Sequence, residues 1–318
     1  MAAHRIDVHH HILPPDYARL VGDARIGPLI LSGKTPEWTP AHSIAAMDRN
    51  GIECAVTSIS APGVWFGEAE ATRSLTRLCN DYAARLRVDH PGRFGMFASL
   101  PLPDVDASLA EIAYVFDTLK ADGVGLMTNI GGVYPGDAKF APVFDELNRR
   151  KAVVYFHPTA APCSNCLSEI PAATLDFPFD TTRAVTSLLF GGTMARCPDI
   201  KFVFSHAGGT VPFLADRMAR LVARPDFKAK VPNGVIPELQ RLYYDTALSA
   251  NARTFAALLA LVAPSQIVFG SDYPFAPEPT LTQTVEGLAG LGLPADTLAA
   301  IERGNALRVL GGLPRAPH

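Results

Sequence analysis

Residues 94–127 read FGMFASLPLPDVDASLAEIAYVFDTLKADGVGLM, and this stretch decides the fold. Phe94–Leu100 and Gly123–Met127 are short, mostly apolar runs bounded by turn residues, which is typical of buried β-strands. Between them, residues 107–123 have the apolar spacing of an amphipathic helix and end in glycine, as many helices do. The stretch therefore predicts a strand-helix-strand unit of a parallel sheet.

The same alternation runs through the rest of the chain, for example in the helical pattern of residues 40–51, PAHSIAAMDRNG. The predicted strands are Arg5–Val8, Glu53–Ile59, Phe94–Leu100, Gly123–Met127, Val153–Phe156, Lys201–Ser205, Leu242–Tyr244 and Ile267–Gly270. Eight such units that close on themselves make a (β/α)8 TIM barrel of the α/β class. A length of 318 residues suits one such domain over residues 1–318.

Two segments are longer than plain barrel connections, namely 14–38 after the first strand and 160–179 after the fifth. Both are rich in proline, glycine and small residues. Because they follow strands, they would lie on the C-terminal face, where barrels build their active sites. We expect both to be inserted active-site loops.

The overall composition excludes several classes of function. A net charge of -3 and a pI of about 6.3 provide no field for a polyanion or an acidic membrane surface, so neither nucleic acid nor membrane is expected as a partner. The N-terminal residues MAAHRIDVHHHILPP lack the apolar core of a signal peptide, and no window is apolar enough for a membrane span. We expect a cytoplasmic protein.

The five cysteines are scattered and odd in number, which favours reduced thiols in that compartment: Cys54, Cys79, Cys163, Cys166 and Cys197. Cys163 and Cys166 form a single CxxC pair. Without a second pair or nearby histidines it is weak support for a zinc or redox site, and loop packing is the favoured interpretation.

Polar residues recur where the predicted strands end. His9 and His11 follow the first strand, His157 ends the fifth, His206 ends the sixth and Asp272 follows the eighth. The strand ends of a parallel barrel converge on one mouth, so these side chains would meet there. Imidazoles with one carboxylate suit a single divalent ion such as Zn2+, and Mn2+ or Co2+ could occupy the same site.

Taken singly, a histidine after a strand is more often a hydrogen-bonded core or surface residue than a ligand, but four histidines and one aspartate at the correct ends of four strands favour a metal site. His9 and His11 are two apart and would share one face of an extended segment. His10 should point away from them and support or pack against the site.

Four motifs, IDVHHH (6–11), YFHPT (155–159), FSHAGG (204–209) and FGSDYPF (269–275), resemble those of the metal-dependent amidohydrolase superfamily. The order matches its branch of nonoxidative decarboxylases, which includes the aminocarboxymuconate-semialdehyde decarboxylases. Residues 178–213 look most like the 6-methylsalicylate decarboxylase group, and RGNALRVLGG (303–312) also matches the branch.

The resemblance implies roles for the same residues. His9, His11, His157 and Asp272 would bind one metal ion, and His206 would act as a catalytic acid or base beside it. Asp272 would protonate the ring carbon before carbon dioxide leaves, whereas the simpler alternative is an anionic ligand without a role in proton transfer. Binuclear members carry a bridging lysine or glutamate after the fourth strand, where this chain has GVGLMTNIGG (123–132), which disfavours a two-metal mechanism.

Candidate substrate contacts are less closely defined. Asn129, after the fourth strand, is one. Lys34 stands where the family has an arginine, and could pair with a carboxylate or lie solvated in its loop. Arg224, in ARPDF, matches a family arginine that reaches into the neighbouring subunit's site. That match would make the protein a homodimer or higher homo-oligomer. The alternative is that Arg224 is an ordinary surface arginine.

Aromatic residues beside these positions could form a slot for a planar ring: Phe275 in DYPF, with Phe177 and Phe179 in DFPFD. Packing of the lid would use them equally well. In FDTTRA, Asp180 and Arg183 are expected to form an ion pair at a helix start, with Asp180 or Thr181 as its N-cap.

The leading hypothesis is a carbon-carbon lyase, a nonoxidative decarboxylase of a small aromatic (ortho-hydroxybenzoate-like) or vinylogous carboxylic acid. The alternatives are a lactone or amide hydrolase, or a hydratase, on the same scaffold with His206 as base. A metal-binding protein without catalysis is a third possibility, and the complete residue set argues against it.

Overall fold

The computed structural model describes residues 4–167 and 169–312. Its eight strands pair in chain order, each parallel to the next. They are β1 (Arg5–His11), β2 (Ile52–Ser58), β3 (Phe94–Ala98), β4 (Gly123–Met127), β5 (Val153–His157), β6 (Lys201–Phe204), β7 (Tyr243–Asp245) and β8 (Ile267–Val268).

The sheet closes between its first and last strands. The backbone amide of Val8 donates to the carbonyl of Phe269 over 2.9 Å, and beyond β8 the amide of Asp272 donates to the carbonyl of His9 over 2.7 Å. The amide of His11 donates to the carbonyl of Tyr273 over 2.7 Å. These bonds replace a longer β8 ladder, so the predicted (β/α)8 TIM barrel is confirmed.

The helices lie between the strands and around the barrel. They are α1 (Pro15–Val21), α2 (Asp23–Ile26), α3 (Pro40–Arg49), α4 (Ala69–Asp89), α5 (Val105–Ala113), α6 (Ala141–Arg149), α7 (Asp176–Phe190), α8 (Thr193–Arg196), α9 (Val211–Ala219), α10 (Pro225–Lys228), α11 (Val235–Gln240), α12 (Ala252–Leu261), α13 (Glu278–Ala289), α14 (Ala295–Ala299) and α15 (Asn305–Leu310). Short 3-10 turns lie at Gly27–Leu29, Ala138–Phe140, Ser164–Leu167, His206–Gly208, Arg220–Ala223 and Pro264–Gln266, and π-turns at Tyr114–Thr118 and Ala300–Gly304.

Within the described residues, no helix combines the length and apolar character needed to cross a membrane. Cys54, Cys79, Cys163 and Cys197 are free thiols. The side chain of Cys166 lies outside the described part of the chain, so the CxxC pair cannot be placed.

The barrel interior is filled by side chains from most of its strands. Its apolar floor is one buried cluster to which α15 contributes from below: Ile6, Val8, Val56, Phe97, Val153, Tyr155, Val203, Val268, Ala306 and Val309. A larger cluster packs the helices against the outside of the strands. The mouth above the floor is therefore the place left for polar side chains.

Strand β1 extends three residues beyond its predicted end. Its pairing with β2 shifts register between Asp7 and His10, and such an irregularity re-aims the side chains that follow it. His9 lies 5.4 Å, ring to ring, from the interior residue Tyr155. His9 and His11 thus project into the mouth from inside a strand.

The two expected insertions are partly helical. The segment after β1 contains α1 and α2, and the segment after β5 ends in α7, which begins at Asp176. The predicted N-cap at Asp180 or Thr181 is therefore wrong: both residues lie in the second turn of α7, because Leu175 is the residue that precedes the helix. Asp180 and Arg183 do come together, with Nη1 and Oδ1 3.7 Å apart.

Candidate metal centre

Four side chains from three strands meet at the centre of the mouth. The Nε2 atoms of His9 and His11 lie 3.0 Å from each other, and 3.1 Å and 3.0 Å from Oδ1 of Asp272. Nε2 of His157 lies 3.7 Å from the same oxygen. One ligand atom from each residue falls within 4.8 Å of all the others, and all four residues are buried.

These donors fit a divalent metal ion. Nε2 of His157 and Oδ1 of Asp272 are buried without a hydrogen-bond partner, which is costly unless another group binds there. Three imidazole nitrogens and one carboxylate oxygen are the donor set of a borderline divalent cation. The expected ligand set is thus assembled as one site.

The electrostatics of the cluster point in the same direction. Burial would raise the pKa of Asp272, but His9, His11 and His157 hold it well below its usual range. Burial lowers the pKa of His157 well below the ordinary value for histidine and that of His11 to about 4. In Asp272, His11 and His157 the site therefore offers an anionic carboxylate and two neutral imidazoles, the protonation states that metal ligands require.

Each imidazole is oriented through its second nitrogen. Nδ1 of His9 lies 2.7 Å from Oδ2 of Asp245, and Nδ1 of His11 lies 3.0 Å from Oγ of Ser58. Nδ1 of His157 lies 2.8 Å from the carbonyl of Pro158. Because these contacts engage Nδ1, Nε2 is left to face the metal position.

Asp245 is the functional residue that the sequence analysis missed. It is fully buried at the end of β7, and its Oδ1 accepts the backbone amide of His206 over 2.8 Å. Burial opposes the charged form of His9, yet Asp245 and Asp272 raise the pKa of His9 to about 10. The sequence could have indicated Asp245, because in YYDTA (243–247) it is a polar residue at the end of a predicted strand.

His206 faces the other oxygen of Asp272. Its Nε2 lies 3.3 Å from Oδ2 of Asp272, whereas the three other histidines face Oδ1. Both residues have left-handed backbone angles, φ 53° for His206 and 64° for Asp272, which non-glycine residues adopt only when the surroundings enforce them. Asp272 therefore connects the metal position to a fourth imidazole, that of His206.

His10 lies outside this cluster. Its Nδ1 is 3.1 Å from Oδ2 of Asp7 and its Nε2 is 2.9 Å from Oγ of Ser43 in α3. Asp7 also accepts the amides of His9 and Ser271 through Oδ1, both over 3.0 Å. The buried Asp7 and His10 thus tie β1 to the segment that carries Asp272.

A cavity of about 740 Å³ opens above the cluster, with His157, His206 and Asp272 at its base. Phe275 lines it with its ring 5.4 Å from that of His11, and Phe177 lines it 6.1 Å from the ring of His157. Its upper walls come from several loops, with Ile30, Leu31, Ala61, Leu248 and Pro277 among them. The described residues that line it include no lysine or arginine.

Most of the predicted substrate contacts lie elsewhere in the single chain. Lys34 is exposed and does not line the cavity, since its segment turns through a hydrogen bond between Oγ of Ser32 and the carbonyl of Lys34. Phe179 is 39% exposed and points away, because the first turn of α7 presents Phe177 to the cavity instead. Arg224 is exposed and pairs with Asp226 over 2.9 Å.

Asn129 is also turned away from the metal cluster. Its Nδ2 donates to Oδ2 of the buried Asp180 over 2.8 Å, and Thr128 and Tyr134 donate to the same carboxylate. Asn129 therefore fastens β4 to α7. The residues after β4 place no carboxylate beside the metal ligands, as the absence of a bridging acid in the sequence indicates.

Three comparisons relate the chain to known proteins. The family model described as amidohydrolase matches residues 6–312. Decarboxylase yanB of Aspergillus niger is 37% identical over 96% of this chain and 87% of its own length, and 6-methylsalicylic acid decarboxylase of Penicillium expansum is 36% identical over 96% and 95%.

A solved structure shares the fold. The 5-carboxyvanillate decarboxylase of Novosphingobium aromaticivorans, complexed with manganese and 4-hydroxy-3-methoxy-5-nitrobenzoic acid, superposes with a TM-score of 0.84 at 19% identity, over 96% of each chain. The match of the family model spans nearly the whole barrel, including every residue of the metal cluster. The chain therefore belongs to the amidohydrolase family.

Proposed function

We propose that the protein is a metal-dependent nonoxidative decarboxylase of a small aromatic carboxylic acid with an ortho-hydroxyl group. The observation that carries this proposal is that the two carboxylate oxygens of Asp272 face different groups at the base of a largely apolar cavity. Oδ1 lies among the histidines of the metal cluster, and Oδ2 lies 3.3 Å from His206. The names of the relatives, both decarboxylases at 36–37% identity, support the same reaction.

The ligands of the single divalent ion would be His9, His11, His157 and Asp272. When bound there, the ion supplies Lewis acidity and a template for the substrate's carboxylate and ortho oxygen. The donor set suits Zn2+, as expected from the sequence. Mn2+ is an equal candidate, because the same donors can bind it and the 5-carboxyvanillate enzyme contains manganese. Metal analysis of the purified protein separates the two.

Proton transfer would be the task of Asp272 and His206. A proton shared between Oδ2 of Asp272 and Nε2 of His206 passes to the ring carbon that bears the carboxylate. The bond between that carbon and the carboxylate then breaks, its electron pair returns to the ring, and carbon dioxide leaves. The buried base of the cavity keeps water from the pair, which strengthens its interaction with the charge that develops.

The cavity indicates which acids fit best. Because its described lining contains no lysine or arginine, the substrate carboxylate would be held at the base, and the apolar upper walls would receive an apolar ring substituent. Phe177 and Phe275 stand on either side of the metal cluster, where they can flank a planar ring. A salicylate with a methyl group, such as 6-methylsalicylate, meets these requirements.

The remaining parts of the proposal concern the assembly and its location. We propose a homodimer or higher homo-oligomer, in which Arg224 of each subunit would contact the substrate in its neighbour's cavity. The exposed position of Arg224 permits such a contact. We also include a cytoplasmic location, supported by the free thiols of the described cysteines.

The test is turnover in heavy water. Metal-loaded protein is incubated with 6-methylsalicylate, 2,6-dihydroxybenzoate and other ortho-hydroxybenzoates, and carbon dioxide and ring deuterium are followed by mass spectrometry. Deuterium at the vacated carbon with stoichiometric carbon dioxide is the expected result. Failure of the whole panel with metal bound, together with hydrolysis of lactones or amides, would establish the hydrolase alternative instead.

A further inference from the structure

A second cavity lies at the same end of the barrel, above the ends of β2, β3 and β4. It encloses about 420 Å³ and is lined by residues 62–66, 99–100, 102, 125–127, 129–132 and 159–162, together with Arg25 of α2 and Leu29 in the turn after it. It shares no lining residue with the metal cavity. An apolar partition separates the two, built from Ala61, Ala172 and Phe177 with Leu29, Ala160 and Ala173.

The walls of this second cavity are apolar and well supported. Trp65, Phe66, Leu100 and Met127 line it, together with Ile130. The polar side chain of Asn129 in its lining is already engaged with Asp180 and with the backbone of residue 132. A volume of this size falls in the range of small-molecule sites, which is about 300–1,000 Å³.

One cation stands at its rim. Among the described residues of the lining, Arg25 alone is charged, and its guanidinium lies 4.8 Å above the ring of Phe66. The side chain is exposed, and it forms no ion pair with a carboxylate of residues 4–167 or 169–312. Its fork of donors is therefore available to an anion, and stacking on Phe66 fixes its position.

We propose that this second cavity binds a small aromatic monocarboxylate, with the ring between the apolar walls and the carboxylate on Arg25. A single cation favours one negative charge. Beside it the described lining offers only the hydroxyls of Ser99 and Thr159 and the indole of Trp65 as further unengaged polar side chains, which is too few for a sugar or a nucleotide. A neutral phenol would lack the ion pair, so the site distinguishes an acid from its decarboxylated product.

The site lies close to the metal centre without opening into it. Gly125 lines the second cavity, and a Cβ at that position would lie 3.4 Å from Cβ of Ser58. Ser58 in turn holds Nδ1 of His11 at 3.0 Å. An acid bound on Arg25 would thus be one layer of side chains away from a metal ligand, and its binding requires neither metal nor turnover.

The two tryptophans of the chain provide the measurement. Trp38 lies outside the lining, so in a Trp38→Phe background Trp65 alone reports on the second cavity. Metal-free and metal-loaded protein are titrated with benzoate, and Trp65 fluorescence is compared with calorimetric binding. We expect saturable benzoate binding in both forms. In Arg25→Gln the benzoate affinity should fall about tenfold or more, and a tenfold fall is a loss of about 1.4 kcal/mol in binding free energy.

Matched controls locate the ligand. Arg19→Gln removes an exposed arginine of α1 that pairs with Asp16 outside the cavity, and should leave the affinity unchanged. Benzamide, which lacks the charge, should bind no better to the parent than to Arg25→Gln protein. Equal benzoate affinity in parent and Arg25→Gln protein of the same melting temperature would overturn the proposal. So would loss of the Trp65 response in Phe275→Ala, which would place benzoate in the metal cavity.

Discussion

In the proposed mechanism Asp272 would combine two tasks, because its two oxygens face different groups. Oδ1 lies among His9, His11 and His157, and Oδ2 lies beside His206. The left-handed backbone at Asp272 and the hydrogen bond from its amide to the carbonyl of His9 hold the carboxylate in this orientation. Metal binding and proton transfer can therefore be separated by a change that keeps the shape of the side chain.

Asp272→Asn is expected to lower turnover by about 10²–10⁴-fold, because an amide oxygen can still ligate metal but cannot deliver a proton. The metal content should fall only in part. The measurement is the decarboxylation rate together with metal per chain, with the exposed Asp296→Asn as the control. Complete metal loss in Asp272→Asn would count against the proton-transfer role.

At the scale of elements, the turn after β6 and the start of α7 place His206 and Phe177. Gly209, in that turn, has φ 64°, and a Cβ there would lie 2.1 Å from the carbonyl oxygen of Pro178. Only glycine tolerates both the backbone angle and this close approach. The approach joins two loops whose residues line the metal cavity.

Gly209→Ala should therefore destabilise the fold by about 1–3 kcal/mol from backbone strain, and lower activity by separating these loops. The matched control is Gly304→Ala, at a helical backbone with the nearest atom 4.0 Å away, which should be neutral or stabilising by about 0.4–1 kcal/mol. Urea unfolding at equal metal content compares the two. Equal stability of both variants would contradict the prediction, because it would show that the turn at Gly209 can move away from Pro178 without a loss of folding free energy.

At the scale of the whole molecule, the metal cavity of a single chain has no lysine or arginine in its described lining that could meet an anionic substrate from above. Arg224 is exposed, and its guanidinium contacts two neighbours in sequence, Asp226 and the ring of Phe227. A second subunit that brought Arg224 over the cavity would provide such a charge. The proposed homodimer would then have sites built from two chains.

Mixing Arg224→Ala subunits with Asp272→Asn subunits tests this arrangement. Random exchange yields about half heterodimers, each with one intact site, so about a quarter of wild-type activity should return. In the control mixture, Arg217→Ala subunits replace the Arg224→Ala subunits; Arg217 is an exposed arginine on α9. The sites of the Arg217→Ala subunits should stay fully active, and the Asp272→Asn homodimer should stay as it is without mixing. No recovery in a mixture shown to contain heterodimers would leave Arg224 as a surface residue.

Much of this molecule is determined locally by its sequence. Apolar runs that alternate with amphipathic stretches specify eight strands and their connections, and residues at strand ends must converge once the strands are parallel. His9, His11, His157, His206 and Asp272 could therefore be grouped without coordinates. Residues 123–132 likewise excluded a bridging acid by their composition alone.

Only the tertiary structure decided what each side chain faces. Asp245 meets His9 across 236 positions in the chain, and a local pattern cannot encode such a partner. Phe177, not Phe179, enters the metal cavity because α7 begins at Asp176 and its first turn points Phe179 outward. The direction of a side chain depends on strand register, on where a helix begins and on the packing of distant segments, and these arise only when the barrel closes.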